Sequence, residues 1–162
     1  MKNNNEESYY KYAEVIRAAL RAAGVDIGLS ENDYKEDGLY WHFQSNHEVS
    51  LIVGIGRDSK LSEPWIVLEA GIGIVPESKI GIFSTYVTNH CRNLNFPFRF
   101  SFCVDSPDKK LLVLNFRSPM TSLNEASVSE FLDALVYIAR SERKQLLELG
   151  LIPLKADEKV VG

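Results

Sequence analysis

In the stretch FPFRFSFCV, residues 96–104, Phe96, Phe98, Phe100, Phe102 and Val104 occupy alternate positions, so one face of the segment is almost wholly aromatic. A period of two belongs to a strand with one buried face and is incompatible with a helix. The period recurs at Leu39, Trp41 and Phe43, at Val49, Leu51, Val53 and Ile55, and at Ile66, Leu68, Ala70, Ile72 and Ile74. It returns a last time at Leu112, Leu114 and Phe116. SNHE at 45–48 and SPDKK at 106–110 read as tight connections, and RDSKLSEP reads as a loop. The first three strands therefore form a meander and the last two a hairpin.

Between these strands the period changes to that of a helix. Tyr9, Tyr12, Ala13, Ile16, Ala19, Leu20 and Ala23 fall on one stripe of a helix over 8–23, which Gly24 stops. After Pro76, the residues Ile80, Phe83, Val87, Cys91 and Leu94 share a stripe, with Tyr86 and His90 flanking it. Ser127 with Glu130 fits a capping box, and Val128, Phe131, Leu132, Leu135, Ile138, Leu146 and Leu149 carry a long helix to Gly150. The acidic run ENDYKEDG at 31–38 has the composition of a turn. The predicted fold is α+β in the order α-β-β-β-α-β-β-α, a five-stranded antiparallel sheet packed with three helices. A chain of 162 residues, 45% of them hydrophobic, supports one such core, giving a single domain over 1–152 and a flexible tail over 153–162.

Net charge and motif content exclude several functions. At −4 the chain lacks the basic surplus that phosphate backbones require, so no nucleic-acid partner is expected. The start MKNNNEESYYKYAEV carries no apolar segment suited to export or membrane anchoring, and the expected location is the cytoplasm. Cys91 and Cys103 are too few for a disulfide framework and read as buried free thiols. His90 and Cys91, as helix neighbours, point about 100° apart and cannot act as base and nucleophile. His42 and His47 lack the further ligands of a metal centre, and are read as a strand-surface and a turn residue. DYKEDG places Lys35 where a calcium loop needs an oxygen ligand. The Gly54-Ile55-Gly56 and Gly71-Ile72-Gly73 runs lack the rest of a phosphate-binding loop. No catalytic residue, metal or cofactor is expected.

What remains is apolar surface on the other strand face, where Ile52, Trp65, Val67, Leu111 and Val113 would form a patch that water does not favour. Trp65, Val67, Leu111 and Val113 are the candidate partner-binding residues. Gly71 and Gly73, read as sharing one face, mark either a bulge or a shallow lane for a ligand.

The run FPFRFSFCVDSPDKKLLVLNFRSP, followed by SVSEFLDALVYIARSERKQLLEL, resembles the YbjN-like pattern of apolar strand, acidic turn, apolar strand and final helix. The element order over 8–150 likewise resembles the fold shared by YbjN-like proteins and type III secretion chaperones. The resemblance implies a non-enzymatic, dimeric chaperone, adaptor, or sensory or stress regulator that holds an extended protein or peptide client on apolar surfaces. It also implies that the helix from Lys79 to Leu94 and the adjoining strand contribute to the homodimer. The alternative is a small-ligand sensor with Trp41 or Trp65 as pocket walls, and a hydrolase or transferase has no assembled groups to carry it.

Overall fold

The computed structural model describes residues 3–34, 38–45, 49–56, 64–92, 98–106 and 109–153, without the side chains of 3–6, 90–92, 102–106 and 109–110. Its helices are α1 (Asn3–Ala22), α2 (Ile27–Ser30), α3 (Ile80–Arg92) and α4 (Glu125–Glu148). Its strands are β1 (Glu31–Tyr34), β2 (Gly38–Gln44), β3 (Ser50–Gly56), β4 (Trp65–Val75), β5 (Arg99–Ser106) and β6 (Lys109–Pro119). All pairings are antiparallel, in the spatial order β1-β2-β3-β4-β6-β5. The α+β class and the antiparallel sheet agree with the sequence; the sheet has six strands rather than five, and a fourth helix of one turn precedes it.

The additional strand is ENDY, which the sequence places in a turn; Lys35 to Asp37 lie outside the described residues. Its pairing has a tertiary cause. Arg17 of α1 grips the Glu31 carboxylate with Nε and Nη2, each at 2.8 Å, and the Trp41 indole donates to the same carboxylate at 2.7 Å. Trp41 is fully buried, so its N–H requires an acceptor, and Glu31 supplies one only when β1 lies along β2.

The buried faces follow the sequence closely. Leu39, Trp41, Leu51, Val53, Ile55, Ile66, Leu68, Ala70, Ile72, Leu112, Leu114 and Phe116 line one side of the sheet with Phe98. Against them pack Ala13, Ile16 and Leu20 of α1, Phe83 of α3, and Val128, Leu135 and Leu146 of α4. Ile27 of α2 packs against the same cluster. Phe100 is half-buried, with its ring 6.4 Å from that of Phe83. Phe96, Phe102, Cys91, Cys103, His47, His90 and Leu94 fall where no side chain is described, so their expected burial and roles lie outside the described residues.

Ile74 departs from the predicted face: it is 39% exposed, and Val75 is buried instead. The register shifts between Gly71 and Gly73, where two β4 positions advance against one step of β6, and this inverts the alternation. Arg143 of α4 donates to the Ile72 carbonyl at 2.7 Å, satisfying the backbone at the bulge. A Cβ on Gly73 would meet Ile152 and Arg143 at 3.1 and 3.2 Å, whereas one on Gly71 would face Ser50. The two glycines look to opposite sides, so the strand carries a bulge and no side-chain-free lane.

Helix ends explain the remaining boundaries. Gly24 and Gly150 have φ of 80° and 68°, and each follows a helix whose last carbonyls accept from it and from the next residue. The start of α4 corrects the predicted cap: Asn124, rather than Ser127, is the N-cap, accepting from the Ser127 N–H at 2.9 Å, while Ser127 Oγ reaches back to the Asn124 N–H. Asparagine is as strong a cap as serine, and starting earlier adds a turn that brings Val128 into the core.

Strand β2 begins opposite the end of β3 at the pair Gly38 and Gly56, and beside it Tyr9 accepts from the Leu39 N–H at 2.9 Å and donates to the Ile55 carbonyl. Gly38 has φ of 139°, and a Cβ there would lie 2.1 Å from the Ile55 carbonyl oxygen. Gly38→Ala is expected to cost about 2 to 4 kcal/mol in chemical denaturation, from unfavourable φ plus overpacking. A loss under about 0.5 kcal/mol, the scale of a neutral surface change, would contradict this packing.

Candidate partner-binding sheet face

All four helices contribute to one core, so they lie on one side of the sheet. On the other side no helix packs among the described residues. That face is read off the register in rows. One row runs Asn32, Tyr40, Gly54, Val67 and Arg117; the next runs His42, Ile52, Glu69, Asn115 and Arg99; a third contains Gly71, Val113 and Ser101. Beyond the bulge, Ile74 pairs with Leu111.

The four residues singled out from sequence all lie on this face, on the adjacent strands β4 and β6, and none belongs to the core cluster. Trp65 is 37% exposed, Val67 and Leu111 are half-buried, and Val113 is 4% exposed. They do not form one continuous patch. Trp65 and Val67 sit opposite Pro119 and Arg117, whereas Val113 and Leu111 sit opposite Gly71 and Ile74. The pair Glu69 and Asn115 lies between the two groups, with Asn115 donating to Ser101 Oγ at 2.6 Å.

The first group is larger than the sequence reading made it. The Tyr40 ring lies across Gly54, so close that a Cβ on the glycine would come within 2.6 Å of ring carbons. Tyr34 meets Tyr40 edge-to-face at 5.6 Å between ring centres. Tyr34, Tyr40, Val67 and Trp65 therefore give this end of the face a wide aromatic and aliphatic surface. Tyr40 was visible in the alternation of β2, but the significance of Gly54 depends on the register with β3. The second group is Leu111, Val113 and the exposed Ile74, beside the edge strand β5.

The other candidate positions separate from this surface. Trp41 cannot wall a ligand pocket, because it is fully buried with its indole N–H on Glu31. Trp65 is on the helix-free face and 37% exposed. His42 is exposed on β2 and hydrogen-bonds Ser50 Oγ at 3.1 Å. Among the described residues, no group of three or more His, Cys, Asp or Glu side chains is arranged to hold a metal ion. None of their helices is long and apolar enough to cross a membrane.

Among the described residues, shifted pKa values belong to Arg17 and Glu31 of the network with Trp41. The Arg17 hydrogen bond pulls the Glu31 carboxyl below its ordinary value, with partial burial opposing and the Trp41 N–H assisting. The same bond raises the Arg17 guanidinium further above its ordinary range. With every polar atom of the trio engaged and on the helix side of β2, this is a structural clamp rather than a reactive group. No protein-family model matches the chain, and no curated protein matches it in sequence.

Proposed function

We propose that this chain is a non-enzymatic polypeptide-binding module with chaperone-like or regulatory character, which holds an extended client on the helix-free face of its sheet. The observation that carries the reading is the pair of apolar groups on that face. They are separated by a polar row and lie about Val67 and about the pair of Gly71 with Val113, where Val113 is itself buried and the accessible apolar side chains are Leu111 and Ile74. Val67 and Gly71 are four residues apart, about 13 Å along a strand. In an extended peptide, side chains at i and i+4 point the same way with this spacing, and the side chain at i+2 meets the intervening row. Glu69 in that row favours a basic or polar residue at i+2. Apolar burial supplies affinity, and an unpaired edge such as β5 offers backbone hydrogen bonds that fix direction.

The resemblance read in the sequence groups the chain with YbjN-like proteins and type III secretion chaperones. On that resemblance it works in the cytoplasm as a homodimer, with α3 contributing to self-association. Light scattering at micromolar concentration should return twice the chain mass; a monomer throughout the accessible range would remove the dimer from the proposal.

The test of the binding surface is a peptide array varying the spacing of two apolar side chains, followed by titration of the best peptide. Binding should peak at the i, i+4 spacing, and Val67→Asp should weaken it by about tenfold or more, because the carboxylate would lose its water at the contact. Circular dichroism checks that the variant is folded. Undiminished binding to Val67→Asp would remove this surface from consideration.

A further inference from the structure

A concave surface lies between the connection from α1 to α2, the end of β2 and the middle of α4. It is a groove of about 580 Å³. Phe43, Leu51, Leu132 and Val136 are among its apolar lining, and Leu29 and Tyr137 stand on its α2 and α4 sides, 87% and 75% exposed. A leucine and a tyrosine left this open, both on one concavity, form a surface that gains from being covered.

The charges on its α4 side specify the cover. Asp133, Tyr137 and Arg140 follow at i, i+4 and i+7, which places them along one stripe of the helix with the tyrosine between the charges. Asp133 and Arg140 make no ion pair or hydrogen bond with each other or with any other described residue. Seven helical residues separate their backbones by about 10.5 Å. The other charged and titratable groups lining the groove are engaged: Asp26 caps α2 by accepting from the Leu29 N–H at 3.2 Å, and His42 bonds Ser50. The groove thus offers one free anion and one free cation at a fixed spacing, with apolar surface between them.

We propose that this groove binds an extended peptide segment carrying a cationic and an anionic group on the same side of the chain, about 13 Å apart, on either side of apolar side chains. An extended chain advances about 3.3 Å per residue and alternates its side chains, so charges four residues apart stand on one side about 13 Å apart, a span the flexible charged side chains bring onto Asp133 and Arg140. The cation lies at Asp133 and the anion at Arg140, with the intervening apolar side chains between Leu29 and Tyr137. The groove shares with the helix-free face residues at the end of β2, His42 among them, and Val67 lies outside the groove, so the two sites are tested separately.

The probe is the capped pentapeptide acetyl-Lys-Leu-Phe-Leu-Glu-amide, titrated by calorimetry at low salt beside its neutral analogue acetyl-Gln-Leu-Phe-Leu-Gln-amide. The charged peptide should bind about fivefold more tightly, the scale of two solvent-exposed ion pairs, and its advantage should shrink with added salt. Asp133→Asn combined with Arg140→Gln, two exposed positions whose replacement leaves the core untouched, should abolish the preference while retaining the neutral peptide. Tyr137→Ala should weaken both peptides, and Val67→Asp should change neither. Equal affinity for the two peptides, a preference that survives the double variant, or no saturable binding at millimolar peptide would each overturn the proposal.

Discussion

Trp41→Ala is expected to lower the free energy of unfolding by about 4 to 6 kcal/mol, from truncation of a buried tryptophan and loss of its hydrogen bond to Glu31. The side chain is fully buried at the junction of β2, β3 and the helix layer, and its indole N–H holds the carboxylate that positions β1. Against a typical total of about 5 to 15 kcal/mol, this loss leaves a chain that is partly unfolded near physiological temperature. Trp41→Phe keeps most of the ring volume and forfeits only the hydrogen bond and a small gap, so about 1 to 2 kcal/mol is expected. Urea denaturation of both variants separates packing from the polar contact, and equal losses in the two would contradict this division.

Glu31→Ala should cost about 2 to 3 kcal/mol, because it leaves the Trp41 N–H without an acceptor and Arg17 without its main partner. The figure stays below that for a fully buried ion pair because the Arg17 and Glu31 side chains retain 18% and 23% of their exposure. The pH dependence has a defined sign. Arg17 holds the folded-state pKa of Glu31 below its ordinary 4.5, so between those two values the unfolded chain binds more protons. The contribution is therefore complete above about pH 4.5 and disappears as pH falls through the folded value. Glu31→Gln should flatten the stability profile in that acid window. An unchanged slope below pH 4.5 would remove Glu31 from the acid response.

These residues also mark where the sequence was legible. The core faces of β2, β3 and β6 could be read because each is set by local alternation, and every one of Leu39, Trp41, Leu51, Val53, Leu112, Leu114 and Phe116 is buried. The ends of α1 and α4 could be read because Gly24 and Gly150 carry a local conformational requirement. Strand β1 could not. ENDY is polar throughout, and its place in the sheet depends on contacts reaching from Glu31 back to Arg17 and forward to Trp41. The bulge at Gly71 and Gly73 was signalled by composition, but its consequence, the exchange of Ile74 for Val75 in the core, follows from the register with β6.

The candidate surface was legible by face and not by arrangement. Trp65, Val67, Leu111 and Val113 were assigned together because alternation puts them opposite the core residues. Their division into two groups by Glu69 and Asn115, and the addition of Tyr34 and Tyr40, needed the strand order. The groove was wholly hidden from sequence, since Leu29, Phe43 and Tyr137 come from three segments that only the fold assembles.

The chain has two tryptophans, so in the Trp41→Phe background Trp65 is the sole indole, and it stands on the proposed client surface. Titrating the array-selected peptide into this variant, while following emission and acrylamide quenching, reads the central claim at the surface itself. The account predicts that Trp65 emission moves to shorter wavelength and that quenching falls in proportion to bound peptide. Saturating peptide that leaves both the emission and the quenching of Trp65 unchanged would contradict it.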